Sequence, residues 1–409
     1  ANAIPDLYAV IDGPDCLFRK AEWVYGKHDL SSTLLDVFGN HRIVSTLVNA
    51  EAVIKDRGEM VALRIRQVNA IPGARAVVVC AMPHVMLIGT QYDRIIRALE
   101  PEVALALIEL PSLSLQGDWI DGYAETLAAL ATNVDLADAA PEPDTVAIIG
   151  YLMDRNEADH QANIAELTRL LRGISLDVSS VWLGGSGYDQ LSAVKNASTL
   201  IALPTGRKAA RILAERTGAR VVDVETPFGP GRTLRMLRTV ARATGRLDNV
   251  QPLVDRELRA IVPRLEWVVQ HVFQGKRIAF GGAPESFGGM FQIATDLGME
   301  VVFLAASGRR AHLTADLESE FGAMPPLFFA PKSRALIDAC ERLGPIDLLV
   351  GDTHFVNCCQ GRVPMLEHGF PSHFSHALFE RPSLGYRGWL CFVDRMAQVL
   401  MRRPDPNAR

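Results

Sequence analysis

The chain has 409 residues, 48% of them hydrophobic and 22% charged, with a formal net charge of −5. This balance is typical of a globular protein with room for two to four domains, and the lack of a basic surplus argues against nucleic acid or an anionic membrane as a partner. No apolar run approaches the roughly 18 residues of a membrane span, so none is expected.

The cysteines and the N-terminal segment indicate in which cellular compartment the protein is expected. The six cysteines have no regular spacing, so they do not indicate the disulfide framework of a small secreted protein. The segment ANAIPDLYAVIDG lacks the basic stretch and apolar core of a signal peptide. We therefore expect a cytoplasmic protein. No G-x-x-x-x-G-K-[ST] segment occurs, so we expect no P-loop ATP site on this chain.

Apolar β-branched runs alternate with helical patterns along the chain, which is typical of parallel sheets with helices on both faces. The predicted strands are YAVID, RIVSTLV, AVVVC and EVALALIEL, then TVAIIGYLM, SLDVSSVWLG, ASTLIALPT and ARVVDVETPFG, and finally GKRIAFGG, MEVVFLAAS, PLFFAP and IDLLVGD. A Pro- and acid-rich stretch, Ala137–Thr145, is interpreted as a linker. A long helical passage covers Arg232–Gln274, and apolar spacing predicts a closing helix over Tyr386–Met401.

The fold class predicted from this pattern is α/β, with three consecutive Rossmann-like domains. Each domain is a mainly parallel sheet flanked by helices, and the C-terminal helix closes the third. The expected bounds are residues 1–143, 144–274 and 275–409.

Two cysteines lie at predicted strand ends. YAVID runs into GPDC, which ends at Cys16, and AVVVC ends at Cys80. The carboxyl ends of parallel strands line one crevice, where ligands bind, and soft thiolates there favour an iron–sulfur cluster over a disulfide. Buried structural thiols are the alternative, since two cysteines 64 residues apart are a weak signal.

Other motifs leave their alternatives open. GGAPESFGG follows a predicted strand and is interpreted as a tight turn before a helix or as a phosphate-binding loop. Cys358 and Cys359 stand in VNCCQG, a predicted loop that packs or lines a cofactor site. His368, His373 and His376 are interpreted as loop histidines or as groups lining a crevice. Cys340 and Cys391 are expected in helices, facing the core.

Six segments, in order, resemble component 1 of nitrogenase and nitrogenase-like reductases, β-type. IDGPDC resembles the family's HGPxGC, VVVCAMPHVMLIGTQYD its cysteine segment ending in IGDD, and PSLSLQGDWIDGYAETLAAL its TPxFxGSxxxGWxxAL. Residues 197–229 resemble the family's strand–helix–strand ending in PxG, and residues 275–304 the start of its third domain. GFPSHFSHALFERPSLGYRG is similar to the β-type GFPxFDRxxxxRxxxGYxG.

The resemblance implies that Cys16 and Cys80 are metal ligands of an iron–sulfur cluster, [4Fe–4S] or P-cluster-like, shared with a partner chain. The family's first cluster cysteine has no counterpart among the 15 residues before Cys16, so this chain is expected to hold only part of the cluster. Asp12 and Asp15 flank Cys16 as candidate oxygen ligands. His84 and Gln91 are candidate donors around the cluster.

The family also places a substrate cavity beyond the cluster. Asn357, Cys358 and Cys359 are expected to face it. The α-type cofactor cysteine would fall near Leu203–Arg207 and is absent, and the β-type GFP alignment argues against His368 as a cofactor ligand. The partners implied are an α-type component 1 subunit, in an α2β2 assembly, and an ATP-dependent iron protein.

Three functional hypotheses remain open at this point. The first is the β-type subunit of a nitrogenase-like reductase acting on a tetrapyrrole, a thioether or dinitrogen. The second is a non-catalytic scaffold for iron–sulfur cofactor assembly, which tolerates a reduced cysteine set. The third is an α/β binding protein, or a subunit that has lost its cluster.

Overall fold

The computed structural model describes residues 3–23, 35, 41–48, 57–112, 116–152, 160–313, 317–322, 324–358, 363–375 and 379–402. These residues form three sheets of parallel strands flanked by helices, which confirms the predicted fold class. Within these ranges, no helix is both long and apolar enough to cross a bilayer.

The chain divides into two compact units. The first comprises Ala1–Asp154 and Val178–Asp223, and the second Arg155–Asp177 and Val224–Arg409. The first unit contains two of the sheets and the second unit contains the third. The three sequence-based domain bounds remain a prediction beside this division.

The first sheet has the strand order β2-β1-β3-β4. Its strands are β1 (Leu7–Asp12), β2 (Ile43–Ser45), β3 (Ala76–Ala81) and β4 (Ala106–Glu109), and the helices near it are α1 (Cys16–Trp23), α2 (Gly58–Asn69), α3 (Tyr92–Leu99) and α4 (Trp119–Asn133). β3 is apolar and nearly continuous because it is covered on both faces, as parallel strands usually are. This sheet positions Cys16 and Cys80.

The second sheet has the order β6-β5-β7-β8. Its strands are β5 (Glu142–Ile149), β6 (Asp177–Val181), β7 (Ala197–Ala202) and β8 (Arg220–Asp223), with helix α6 (Arg207–Thr217) in the same unit; helix α5 (His160–Arg172) belongs to the second unit. A single apolar cluster joins this sheet to α4, α6 and one face of the first sheet. The first four residues of β5 occupy the predicted linker, which is therefore shorter than expected.

The third sheet has the order β11-β10-β9-β12-β13. Its strands are β9 (Arg277–Gly282), β10 (Glu300–Ala306), β11 (Leu327–Phe329), β12 (Leu348–Gly351) and β13 (Met365–Glu367). The helices of the second unit after α5 are α7 (Pro230–Thr244), α8 (Val250–Val268), α9 (Phe287–Asp296), α10 (Leu317–Phe321), α11 (Ser333–Leu343), α12 (Thr353–Cys358) and α13 (Gly385–Met401). A single π-helical turn, Val269–Phe273, extends α8.

The closing helix was predicted to within one residue, and its N-terminus is fixed to α5. The Asn163 side chain accepts hydrogen bonds from the backbone N–H groups of Ser383 (2.7 Å) and Leu384 (2.9 Å). Buried Glu166 accepts from the Arg387 N–H at 3.1 Å. These side chains satisfy donors that a helix N-terminus leaves without partners.

Candidate functional site

The two cysteines meet at one edge of the first sheet. β1 pairs in parallel with β3, and the register sets Ile11 opposite Cys80 and Asp12 opposite Ala81. Cys80 is the next-to-last residue of β3, which extends one residue beyond the predicted strand AVVVC. Cys16 begins α1, four residues beyond the end of β1. Adjacent parallel strands bring their carboxyl ends to the same edge, so both thiols belong to that edge.

The loop between β1 and Cys16 is held by the segment that follows β2. The Ser45 hydroxyl donates to the Gly13 carbonyl at 2.7 Å, and the Gly13 N–H donates to Thr46 Oγ1 at 3.1 Å. Gly13 also has little room, since a Cβ there would lie 2.6 Å from Cγ and Sδ of Met82. The backbone leading to Cys16 is therefore fixed from two sides.

Asp12 is fully buried and its carboxylate is engaged by the protein itself. Oδ1 accepts from the Thr46 hydroxyl at 2.6 Å and lies 3.4 Å from Arg57 Nε, while Oδ2 accepts from the Tyr92 hydroxyl at 2.7 Å. The Arg57 side chain is 6% exposed. A buried carboxylate that is paired with a cation and accepts from two hydroxyl groups stabilises the fold around it, because removing it would leave these partners without an acceptor. None of these three partners was predicted from the sequence.

The two thiols differ in environment. Cys16 is exposed and Cys80 is half-buried, and both are free thiols. Burial raises the pKa of the Cys80 thiol to about 11. The Tyr92 pKa is raised by burial, by its hydrogen bond to Asp12 and by the charges of Asp12 and Cys80.

The remaining residues predicted for this unit are exposed. Asp15 directly precedes Cys16, His84 lies in the turn after β3, and Gln91 directly precedes α3. Asp15 follows β1, and His84 and Gln91 follow β3. All three therefore lie beyond the carboxyl ends of these strands, as the thiols do. Their side chains are open to solvent and accessible to a ligand.

Apolar side chains are also exposed in the segments that follow these strands. Leu87 is 86% exposed, Leu47 50% and Met86 44%. Leu47 lies two residues after β2, and Met86 and Leu87 form part of the short helical turn after β3. Met86 and Leu87 are adjacent in the sequence, and contiguous exposed apolar surface marks an interaction site more often than single exposed residues do.

Comparison with known proteins gives the family. The family model described as Nitrogenase component 1 type Oxidoreductase matches residues 2–401. The chain belongs to this family. It is 24% identical over 331 residues to the nitrogenase vanadium-iron protein beta chain of Trichormus variabilis, covering 73% of this chain and 69% of that one. It is 25% identical over 226 residues to the nitrogenase molybdenum-iron protein beta chain of Frankia alni.

The component 1 relatives extend beyond the matched stretch. The match to the Frankia alni chain covers 53% of this chain and 42% of that one. The solved structure of nitrogenase Cp1 at pH 6.5 superposes with a TM-score of 0.81 at 16% identity, over 98% of this chain and 90% of that chain. The structural likeness supports the component 1 fold, and the matched relatives are β chains.

In this component 1 chain, the residues predicted near a substrate cavity lie in the second unit. Asn357 and Cys358 end helix α12, where a loop was expected. Asn357 is exposed, whereas the Cys358 thiol donates to the His354 carbonyl at 3.2 Å and packs against the apolar cluster of the third sheet. Cys359 and His376 lie outside the described residues.

His368 is a core residue in this chain. Its ring stacks on Phe228 at 5.7 Å between centroids and meets Phe392 edge-on at 5.1 Å. Burial, with a smaller effect of the Arg395 charge, lowers the His368 pKa to about 3. The imidazole is therefore neutral at physiological pH and packed between two rings.

The thiol environments make a test of the metal-free chain possible. With a pKa near 11, about one part in a thousand of Cys80 is thiolate at pH 8. We expect iodoacetamide to label Cys16 quickly at pH 8 and Cys80 slowly, with the Cys80 rate rising about tenfold per pH unit up to its pKa. Peptide mass spectrometry gives both rates in one sample. Equal rates at pH 8 in the folded chain would contradict this expectation.

Proposed function

We propose that this chain is the β-type subunit of a nitrogenase-like reductase and that Cys16 and Cys80 bind part of an interfacial iron–sulfur cluster. The pairing of β1 with β3 carries the proposal, because it brings both cysteines to one sheet edge. When bound, such a cluster stores and relays single electrons at a potential set by its ligands, its burial and its hydrogen bonds.

The residues around the thiols have distinct roles in this proposal. Cys80 must lose its proton to ligate metal, and its raised pKa makes that loss favourable only when a cation replaces the proton. Asp12 is assigned a positioning role rather than a ligating one, because Thr46, Arg57 and Tyr92 occupy its oxygens. It holds the carboxyl end of β1, from which the loop to Cys16 departs.

The exposed residues are assigned to the coordination and surroundings of the metal. Asp15 is the proposed oxygen ligand, in place of a thiolate, because its side chain is exposed beside Cys16. His84 and Gln91 are proposed donors near the cluster. In the second unit Asn357 is the better candidate for lining a cofactor site, since the Cys358 thiol already has a carbonyl acceptor.

Two thiolates are fewer than the four ligands that cubane clusters usually take. We propose that an α-type subunit supplies the rest, in an α2β2 assembly. The exposed apolar side chains of Leu47, Met86 and Leu87 support an interface on the segments that follow β2 and β3. An ATP-dependent iron protein is the proposed electron donor. The substrate class is a tetrapyrrole, a thioether or dinitrogen.

Iron content tests the metal assignment. We expect Cys16→Ala and Cys80→Ala each to remove most of the cluster iron and sulfide from complexes co-purified without oxygen. Matched controls are Cys340→Ala and Cys391→Ala, which change half-buried cysteines on α11 and α13. The controls are expected to keep wild-type iron. Wild-type iron and an unchanged paramagnetic signal in both Cys16→Ala and Cys80→Ala would refute the assignment.

A scaffold for iron–sulfur cofactor assembly is the second candidate. The exposure of Cys16 favours it, since a solvent-accessible ligand suits a cluster that must leave. The two candidates separate when the complex is given iron protein, ATP and a reductant. A reductase keeps its iron and turns over substrate repeatedly. A scaffold loses iron stoichiometrically to an apo-acceptor protein and shows no turnover.

A further inference from the structure

The second unit contains a cavity that the proposed function does not use. It has a volume of about 510 Å³ and lies among α7, α8 with its π-helical turn, α9 and α13. This size is within the range of small-molecule sites, which runs from about 300 to 1,000 Å³. The π-helical turn in its wall is relevant because such turns recur at functional positions.

The wall of the cavity is mainly apolar. Leu234 of α7, Leu258 and Val262 of α8, and Trp389 of α13 contribute to it. Val262 remains 45% exposed, whereas Trp389 is buried. The body of a ligand in this cavity would therefore be apolar.

The charge in the lining is negative. Asp296 of α9 and Glu266 of α8 belong to it, and the described lining residues include no lysine or arginine. Burial raises the pKa of Asp296. A cation bound beside this carboxylate would lower that pKa again.

We propose that this cavity is a binding site for a small amphipathic amine. The apolar body lies against Leu234 and Leu258, and the ammonium group faces the carboxylates of Asp296 and Glu266. Burial of the apolar part supplies most of the affinity. The charged head group determines which of several ligands with the same apolar part binds best.

Three probes with the same body and different head groups test the proposal: 4-phenylbutylamine, 4-phenylbutanol and 4-phenylbutyrate. We expect calorimetry at pH 7 to give at least about tenfold tighter binding of the amine than of the carboxylate, with the alcohol between them. The amine should also change the fluorescence of Trp389, a change absent in Trp389→Phe. Equal affinities for amine and carboxylate would overturn the proposal.

Variants locate the site. Val262→Trp fills the cavity from a partly exposed position that tolerates a larger side chain, and we expect it to weaken the amine at least about tenfold. Asp296→Asn is expected to weaken the amine and leave the alcohol unchanged. The matched control is Asp93→Asn, an exposed carboxylate of the first unit, which should change neither. Unaltered amine binding in Val262→Trp, or loss of amine binding once the partner subunit is present, would overturn the proposal.

Discussion

Asp12→Ala is expected to destabilise the first sheet by about 3–5 kcal/mol, the usual cost of breaking a buried ion pair from one side. The substitution leaves Arg57 buried without its carboxylate and removes the acceptor of the Thr46 and Tyr92 hydroxyls. Hydrogen exchange measures the effect in this unit alone. We expect the opening constants of the β1 and β3 amides to rise at least about a hundredfold, with β9 unchanged.

A control substitution at Asp93 separates the loss of the buried ion pair in Asp12→Ala from the loss of one negative charge. Asp93 pairs with Arg97 on the surface of α3, where both side chains are more than half exposed. Asp93→Asn is expected to cost about 0.5 kcal/mol or less. The double change Asp12→Ala with Arg57→Met should recover part of the loss, because it removes the unpaired cation as well. Normal protection of β1 and β3 in Asp12→Ala would contradict a structural role for this carboxylate.

Gly206→Ala is expected to disrupt the second sheet, at a cost of about 3 kcal/mol or more. A Cβ at this position would overlap the Ile149 carbonyl oxygen and lie 2.5 Å from the Gly150 nitrogen. These atoms belong to the backbone where β5 ends, so no side chain can move to relieve the clash. The amides of β5 and β7 should lose protection from exchange.

The control for Gly206→Ala is Gly122→Ala in the same unit. Gly122 lies inside α4, and a Cβ added there would point into open space among the described residues. Replacing glycine by alanine within a helix usually stabilises it by about 0.5–1 kcal/mol. We therefore expect Gly206→Ala to lower the stability of this unit and Gly122→Ala to raise it. Equal effects would mean that the close approach of the two backbones does not determine stability here.

The sheets were predictable from the sequence because parallel strands are buried on both faces and so form continuous apolar runs. YAVID and AVVVC match β1 and β3 within one residue at each end. β13 was missed, since its three residues, Met365–Glu367, include none of the β-branched or aromatic residues that mark the equally short β2 and β11. The segment of α12 was predicted as a loop, although Asp352 before it is a typical N-terminal residue and its side chain accepts from the Phe355 N–H at 2.9 Å.

The candidate site was predictable only in part. The predicted strands placed both cysteines near one sheet edge, because parallel strands bring their carboxyl ends to the same edge. The role of Asp12 was not accessible, since its partners Thr46, Arg57 and Tyr92 lie 34, 45 and 80 residues away in sequence. No local pattern identifies which arginine or tyrosine will meet a buried carboxylate. This is why Asp12 was predicted as a ligand, while its contacts support a positioning role.

Cys16 and Cys80 are proposed to ligate one metal cluster together, and the location of iron decides whether they do. Anomalous diffraction at the iron edge, from crystals of the anaerobic complex with the partner subunit, tests this directly. We predict one group of iron peaks bonded to the Sγ atoms of both cysteines, with the remaining ligands from the partner or from Asp15. Iron bound elsewhere, with both thiols free, would contradict the proposal.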